Sequence, residues 1–160
     1  MIRKVTTSDI PTWRKLAAEA EHLFGSMVNE ESFAAAMEDC ILSESALCLV
    51  TGNNIPAGII AIDRSANEIL WFVVGAEHRG KRYGKELLEA ALMELDKTKP
   101  VYVQTFAPGI PDGKAARALY LQNGFRDHRD GGLNPAGLDT VIMMKEEKPV
   151  PGFLQRKTEH

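Results

Sequence analysis

The sequence predicts one mixed α/β domain, a mostly antiparallel central sheet flanked by helices in the order β-α-α-β-β-β-α-β-α-β-β. Three observations carry this. Apolar residues recur with a helical period up to Ser43, then change at Leu47 to short strand-like runs punctuated by Gly, Asn and Pro. Strand-like runs next alternate with two further helical stretches, which requires one or two crossover connections. The 160 residues, 44% hydrophobic and 26% charged, suffice for one core and leave little room for a second domain.

Ile2 to Val5 reads as a short first strand. Ser8 or Asp9 can cap the helix that follows, and Pro11 suits its first turn. This helix reaches about Phe24, with Trp13, Leu16, Ala17, Ala20 and Leu23 on one face and Gly25 as its stop. A second helix runs from about Asn29 to Ser43 with Phe33, Met37, Cys40 and Ile41 in register. Leu47 to Thr51 and Ala57 to Ile62 are strands joined through the turn residues Gly52-Asn53-Asn54, and Asn67 to Val74 completes the meander. The segment from Val74 to Gly84 opens a helix that reaches about Lys97, with Leu87, Leu88, Ala91 and Leu95 inward. Val101 to Phe106 is a strand, and Ala115 to Gln122 is a helix closed by Asn123-Gly124. Phe125 to Arg129 and Leu138 to Lys145 are closing strands around the loop Gly131-Gly132-Leu133-Asn134-Pro135. The domain is therefore expected over 1–145. Residues 146–160, with Pro149, Pro151 and many charges, are expected to form an exposed or mobile tail.

The formal net charge of −3 argues against nucleic acid as a partner. Met1 to Lys4 lacks the apolar run of a signal peptide, and no stretch approaches the roughly 20 apolar residues of a membrane span. Cys40 and Cys48 match no zinc or redox spacing and sit among apolar neighbours, which suits a reducing compartment; the expected location is the cytoplasm. The histidines His22, His78, His128 and His160 show no ligand spacing, so no metal is expected. His128-Arg129-Asp130 with Asn134 echoes a kinase catalytic loop, but the spacing is one residue short and the chain is too small.

One segment concentrates chemistry. Strand, glycine-bearing loop, then helix is the local design of an anion site, because the first amides of a helix lack partners and the helix dipole favours negative charge there. Gly80 and Gly84 allow close backbone approach, and Arg79, Lys81, Arg82 and Lys85 crowd four cations into seven residues of an acidic chain. Cations at a helix start are unfavourable unless an anion joins them. A Rossmann fingerprint is absent. Gly75 to Lys81 matches Gly-x-x-x-x-Gly-Lys, but Arg82 stands where a P-loop needs its Mg²⁺-binding hydroxyl, and the preceding strand belongs to an antiparallel meander.

Arg79-Gly80-Lys81-Arg82-Tyr83-Gly84 resembles the R/Q-x-x-G-x-G/A coenzyme A signature of the GNAT N-acetyltransferase superfamily, with Arg82 in place of the first of its two key glycines. Ala116 to Phe125 resembles the later A-x-x-L-Y-x-x-x-G-F block of that superfamily; Gly113 stands where relatives commonly carry Asn. The resemblance spans about residues 1 to 145 and implies a GNAT-like fold.

It also implies an acetyl-CoA-dependent N-acetyltransferase, with no metal. In similar proteins the fourth and fifth strands splay apart around the pantetheine arm. Backbone groups of Phe72, Val73 and Val74 would then bond that arm, and amides from Arg79 to Lys85 (with Gly80, Lys81, Arg82, Tyr83 and Gly84) would hold the pyrophosphate. Direct attack by a neutral amine on the thioester is implied. Tyr120 is the implied general acid for the leaving thiolate. Glu68 is the candidate base, with Asp63 or a water chain as alternatives, and Glu19, Glu21 and His22 on the first helix as candidates for the acceptor pocket. The acceptor is a small-molecule or peptide amine. Monomer and homodimer both stay open, as does a coenzyme A-binding sensor or interaction module that does not turn over.

Overall fold

The computed structural model describes residues 1–25 and 30–147. The chain begins with β1 (Ile2–Lys4), a 3-10 turn at Thr7–Asp9, α1 (Ile10–Glu19), α2 (Glu21–Phe24) and α3 (Glu31–Leu42). The meander β2 (Ala46–Val50), β3 (Pro56–Asp63) and β4 (Glu68–Val74) follows. Then come α4 (Tyr83–Glu94), β5 (Val101–Phe106), α5 (Lys114–Gln122), β6 (Phe125–Leu133) and β7 (Asp139–Lys145). All seven strands form one sheet in the order β1-β2-β3-β4-β5-β7-β6. Every pairing is antiparallel except β4 with β5, which are joined through the crossover helix α4.

Strand alternation splits the core in two. On one face Trp13, Leu16 and Met37 from α1 and α3 pack on Cys48, Ile59, Ala61 and Val73. On the other, Leu87, Leu88 and Ala91 of α4 and Tyr120 of α5 pack on Leu47, Leu49, Ile60 and Ile62. Cys40 and Cys48 are buried and free, and burial raises both thiols, that of Cys48 to about 11.

Four boundaries differ from the sequence reading by two residues or more. The first helix breaks at Ala20 (φ −98°, ψ 6°), whose amide is shared by the carbonyls of Ala17 and Ala18, so α2 is a separate turn stopped by Gly25 at φ 96°. The expected start of the second helix at Asn29 lies outside the described residues, and α3 begins at Glu31. Helix α4 ends at Glu94, short of Lys97, because Leu95 leaves the helix and Asn67 captures the amide of Asp96. Strand β6 continues past Arg129 through Gly131 and Gly132 to Leu133, with two register shifts that absorb the extra residues. The tail residues 148–160 lie outside the described residues.

What matters for function is the seam between β4 and β5. They pair only at Glu68↔Tyr102 and Ile69↔Val103, after which they separate. The closed end is pinned by Asn67, buried and left-handed at φ 53°. Its Nδ2 donates to the carbonyls of Asp96 (2.9 Å) and Pro100 (2.9 Å), its Oδ1 accepts from the Asp96 amide (2.9 Å), and its own carbonyl accepts from Tyr102 N–H (3.1 Å). Just beyond, the β3–β4 register shifts between Ala61↔Trp71 and Ile62↔Ile69, leaving Leu70 as a bulge. A bulge bends its strand and increases local twist, so β4 turns away from β5 there.

Candidate functional site

The opening of that seam is one wall of a cleft of about 990 Å³ that runs from the start of α4 to the turn between β6 and β7. Its backbone groups follow from register. Gly75 N–H donates to Ala57 O across the β3 side, and the pairs Val73↔Ile59 and Phe72↔Ile60 continue without a shift. Antiparallel alternation therefore turns the peptide groups of Val73 toward β3, and those of Phe72 and Val74 toward the open seam. Of the three backbone candidates, Phe72 and Val74 have free hydrogen-bonding groups; Val73 contributes a buried side chain to the opposite face.

At one end of the cleft lies the loop singled out by sequence. Arg79, Gly80, Arg82, Tyr83, Gly84 and Lys85 line it. Gly80 has φ +78° and open space where a Cβ would stand, so its conformation, not its size, requires glycine. Gly84 is different: a Cβ there would meet Leu119 Cδ2 at 3.4 Å and Phe72 Cζ at 3.6 Å, ordinary contacts that a methyl can make. Arg82 caps α4 in the left-handed region, φ 66°, ψ 16°. That backbone conformation is one that glycine adopts most readily, and the exposed Arg82 side chain projects from the turn. Lys85 pairs with Glu89 at 2.7 Å, whereas Arg79, Lys81 and Arg82 form no ion pair among the described residues. Unpaired cations against open helix amides make this end suited to a phosphate-bearing ligand.

Tyr120 sits midway, on α5. Its ring meets Phe72 edge-on at 6.4 Å and Phe125 at 5.5 Å, and it is 4% exposed. It lines the cleft, and its hydroxyl has no hydrogen bond among the described residues. Burial pushes its phenol well above the ordinary value, so it stays protonated across the neutral range. Arg117 fixes the helix that carries it, donating to both Asp127 carboxylate oxygens (2.9 and 2.8 Å) and to Phe106 O (3.2 Å).

The far end is walled by aromatic rings. Phe24 stacks on Phe106 at 5.3 Å; Trp71 also lines the cleft, with its ring against Trp13 and Phe33. Gly113, where relatives commonly carry Asn, is explained here: a Cβ would come within 2.5 Å of Phe106 Cβ, so no side chain fits. Asn134 ties this end together. Its Oδ1 accepts from Ala136 N–H (2.9 Å) and Leu138 N–H (3.1 Å), and its Nδ2 donates to Leu23 O (2.7 Å).

The carboxylate candidates stand elsewhere. Glu68 lies at the closed, paired end of β4, next to the cleft-lining Ile69, and is not itself among the residues that line the cleft. Burial, then the charge of Asp63, raises its carboxyl. Asp63 caps the β3–β4 turn through Ser65 and Ala66, and the Glu19 carboxylate accepts from Ala76 N–H at 3.0 Å. Of the acceptor candidates on the first helix, His22 alone lines the cleft. Phe24, Trp71, Phe106 and Asn134 carry no signal in the sequence, because aromatic residues in apolar runs read as ordinary core and a lone Asn beside Pro reads as a turn.

Among the described residues no group of three His, Cys, Asp or Glu is placed to hold a metal, and no helix is long and apolar enough to cross a membrane.

Residues 12–147 match the family profile described as an acetyltransferase (GNAT) domain. No curated protein sequence matches the chain. Solved structures resemble it in fold. The ribosomal-protein-S18-alanine N-acetyltransferase of Escherichia coli is 21% identical with a TM-score of 0.71, covering 96% of this chain and 97% of that one. Ard1 of Thermoplasma volcanium is 18% identical with a TM-score of 0.73, covering 93% and 98%. A chain of the NatC complex, solved with Gag peptide and CoA, is 16% identical with a TM-score of 0.72, covering 92% and 98%.

Proposed function

The chain belongs to the GNAT acetyltransferase family, and on that premise we propose that it moves an acetyl group from acetyl-coenzyme A to a primary amine by direct attack on the thioester. The observation that carries this reading is the open β4–β5 seam with an unpartnered Tyr120 hydroxyl beside it and a cationic glycine loop at its end. The residues fit the coenzyme. The free amides of the helix start, with Arg79, Lys81 and Arg82, bind the pyrophosphate and the neighbouring phosphate. Peptide groups of Phe72 and Val74 bond the pantetheine arm as an added strand would.

The coenzyme supplies the activated acetyl thioester. The chain's own part is positioning and proton handling. The Phe72 amide polarises the carbonyl oxygen as negative charge develops there. As the new N–C bond forms and the C–S bond breaks, Tyr120 gives its proton to the departing sulfur and regains one from solvent. The amine's proton leaves through water; among the described residues the carboxylate that lines the cleft is the exposed Asp112. We assign this activity to residues 1–145.

Calorimetry with acetyl-coenzyme A, beside a thiol-release assay with a panel of primary amines, tests the reading. Binding together with amine-dependent release is expected. Binding without release for every amine would contradict catalysis and leave a coenzyme-binding module; no binding would overturn the reading altogether.

A further inference from the structure

With the coenzyme's phosphates on the loop, the aromatic end is left to the amine, and one contact belongs to neither end. Glu19, the last residue of α1, reaches across 57 residues of chain to accept a hydrogen bond from Ala76 N–H at 3.0 Å. Ala76 opens the 3-10 turn Ala76–His78, which leads directly into Arg79 and the glycine loop.

This turn needs a cap from outside. The open amides at the start of a helical turn are commonly answered by a Ser, Thr, Asp or Asn side chain at the preceding position. Here that position is Gly75, which has no side chain to offer. A side chain there would also crowd its neighbours, since a Cβ on Gly75 would come within 3.2 Å of Leu16 Cδ2 and 3.3 Å of Ala57 O. The helix that crowds out a local cap supplies a distant one, because Glu19 shares a side of α1 with Leu16 at i, i+3 spacing. Trp13, Leu16, Ala17 and Ala20 are buried and fix that helix end, so little backbone freedom is lost when the carboxylate engages the amide.

Packing carries the effect from the turn to the anion site. His78 ends the turn and sets its ring 6.3 Å from that of Tyr83, the first residue of α4. Between them run Arg79 to Arg82, whose three cations form no ion pair among the described residues. This stretch is therefore held at its two flanks, by α4 on one side and by the Glu19 bond on the other. Charge and geometry pull in opposite directions here. A carboxylate on the approach to an anion site repels phosphates, so on charge alone its removal would tighten binding. As a cap, its removal loosens the turn and weakens binding.

We propose that Glu19 is a positioning residue for the coenzyme loop: its carboxylate oxygen caps the Ala76–His78 turn and so holds Arg79 to Arg82 in the shape that receives the phosphates. The proposal rests on the coenzyme reading of that loop, and the experiment separates the two. Calorimetry measures the affinity of wild type, Glu19→Ala and Glu19→Gln for acetyl-coenzyme A and for coenzyme A, which share the phosphates and differ at the thioester. The unfolding temperature of each protein is measured alongside. Glu19→Ala is expected to bind both ligands at least about fivefold more weakly. Glu19→Gln keeps the oxygen acceptor and loses the charge, and is expected to bind within about twofold of wild type or more tightly. If Glu19→Ala binds as tightly as wild type or tighter, the proposal is overturned; with a lowered unfolding temperature, that result marks a cap for stability alone. Equal weakening by Ala and Gln also overturns it, because the hydrogen-bond acceptor is then not what matters. A loss confined to acetyl-coenzyme A places the effect at the thioester and not at the loop, which overturns it too. Wild type that binds neither ligand overturns the coenzyme site itself, and the role of Glu19 with it.

Discussion

At the loop end of the cleft the groups facing a ligand are backbone amides and cations from one continuous stretch, residues 72–85. At the aromatic end they are rings and an amide side chain brought from residues 22–24, 71, 106 and 133–135. The first end is local chemistry: a strand, two glycines and a helix start are sufficient to build it. The second exists only after the whole sheet has closed, since Asn134 and Leu23 lie 111 residues apart. A coenzyme shared by a family can be held by the local device, while the acceptor is read by the assembled one. Variants at the two ends should therefore separate coenzyme affinity from acceptor use.

The largest effect is expected at the loop. Gly84→Glu places a carboxylate where a Cβ already touches Leu119 and Phe72, beside the anion site. Calorimetry should find acetyl-coenzyme A affinity lowered at least about 100-fold, or about 2.7 kcal/mol. Gly84→Ala, which fits, should bind within about threefold of wild type. If Gly84→Glu bound normally, the loop would not be the phosphate site.

Next comes the hinge that both ends share. Asn67→Ala removes the staple across Asp96 and Pro100 from a buried, left-handed position. The expected loss is about 2–3 kcal/mol in denaturant unfolding, with both ends of the cleft weakened together. A variant that lost only one end would break the idea of a common hinge.

Phe24→Ala should act at the aromatic end alone. It removes the ring stacked on Phe106 and is expected to raise acceptor KM about tenfold while acetyl-coenzyme A affinity stays within about twofold. A matching loss of coenzyme affinity would contradict the division.

The smallest effect is at Arg82. Its left-handed backbone costs an L-residue about 1 kcal/mol, which glycine avoids. Arg82→Gly should therefore unfold about 2–4 °C higher, yet bind coenzyme A a few-fold more weakly through the lost charge. Stability and affinity moving in the same direction would refute the view of Arg82 as a phosphate-facing side chain on a glycine backbone.

The contrast between the ends also explains what is legible before folding. Strand β5 is legible to the residue, Val101 to Phe106, because Pro100 and the apolar alternation bound it. The helix-start loop is legible because its residues are contiguous, and the block ending at Gly124-Phe125 brings Tyr120 with it. The break at Ala20 is not, since alanine carries no helix-ending signal and the kink depends on burial under the sheet. Nor is the bulge at Leu70, an apolar residue in an apolar strand whose shift shows only against β3. The position of Glu68 relative to the opening is also set by pairing: the strand is still paired to β5 there, and the seam opens two residues later. Val73 likewise loses its backbone role to strand parity, which requires the partner's register.

Between the two ends stands Tyr120, and its hydroxyl decides whether the cleft transfers an acetyl group or only holds the coenzyme. Burial keeps the phenol protonated, and among the described residues no group competes for its proton. Tyr120→Phe keeps the ring against Phe72 and Phe125 and removes only the donor. A positioned general acid contributes about 10²–10⁴-fold, and water can replace part of that. The decisive measurement is kcat for thiol release in Tyr120→Phe beside acetyl-coenzyme A affinity on the same preparation. A fall in kcat of at least about tenfold with affinity within about twofold is the predicted result. An unchanged kcat would return Tyr120 to packing and contradict its role as the proton donor.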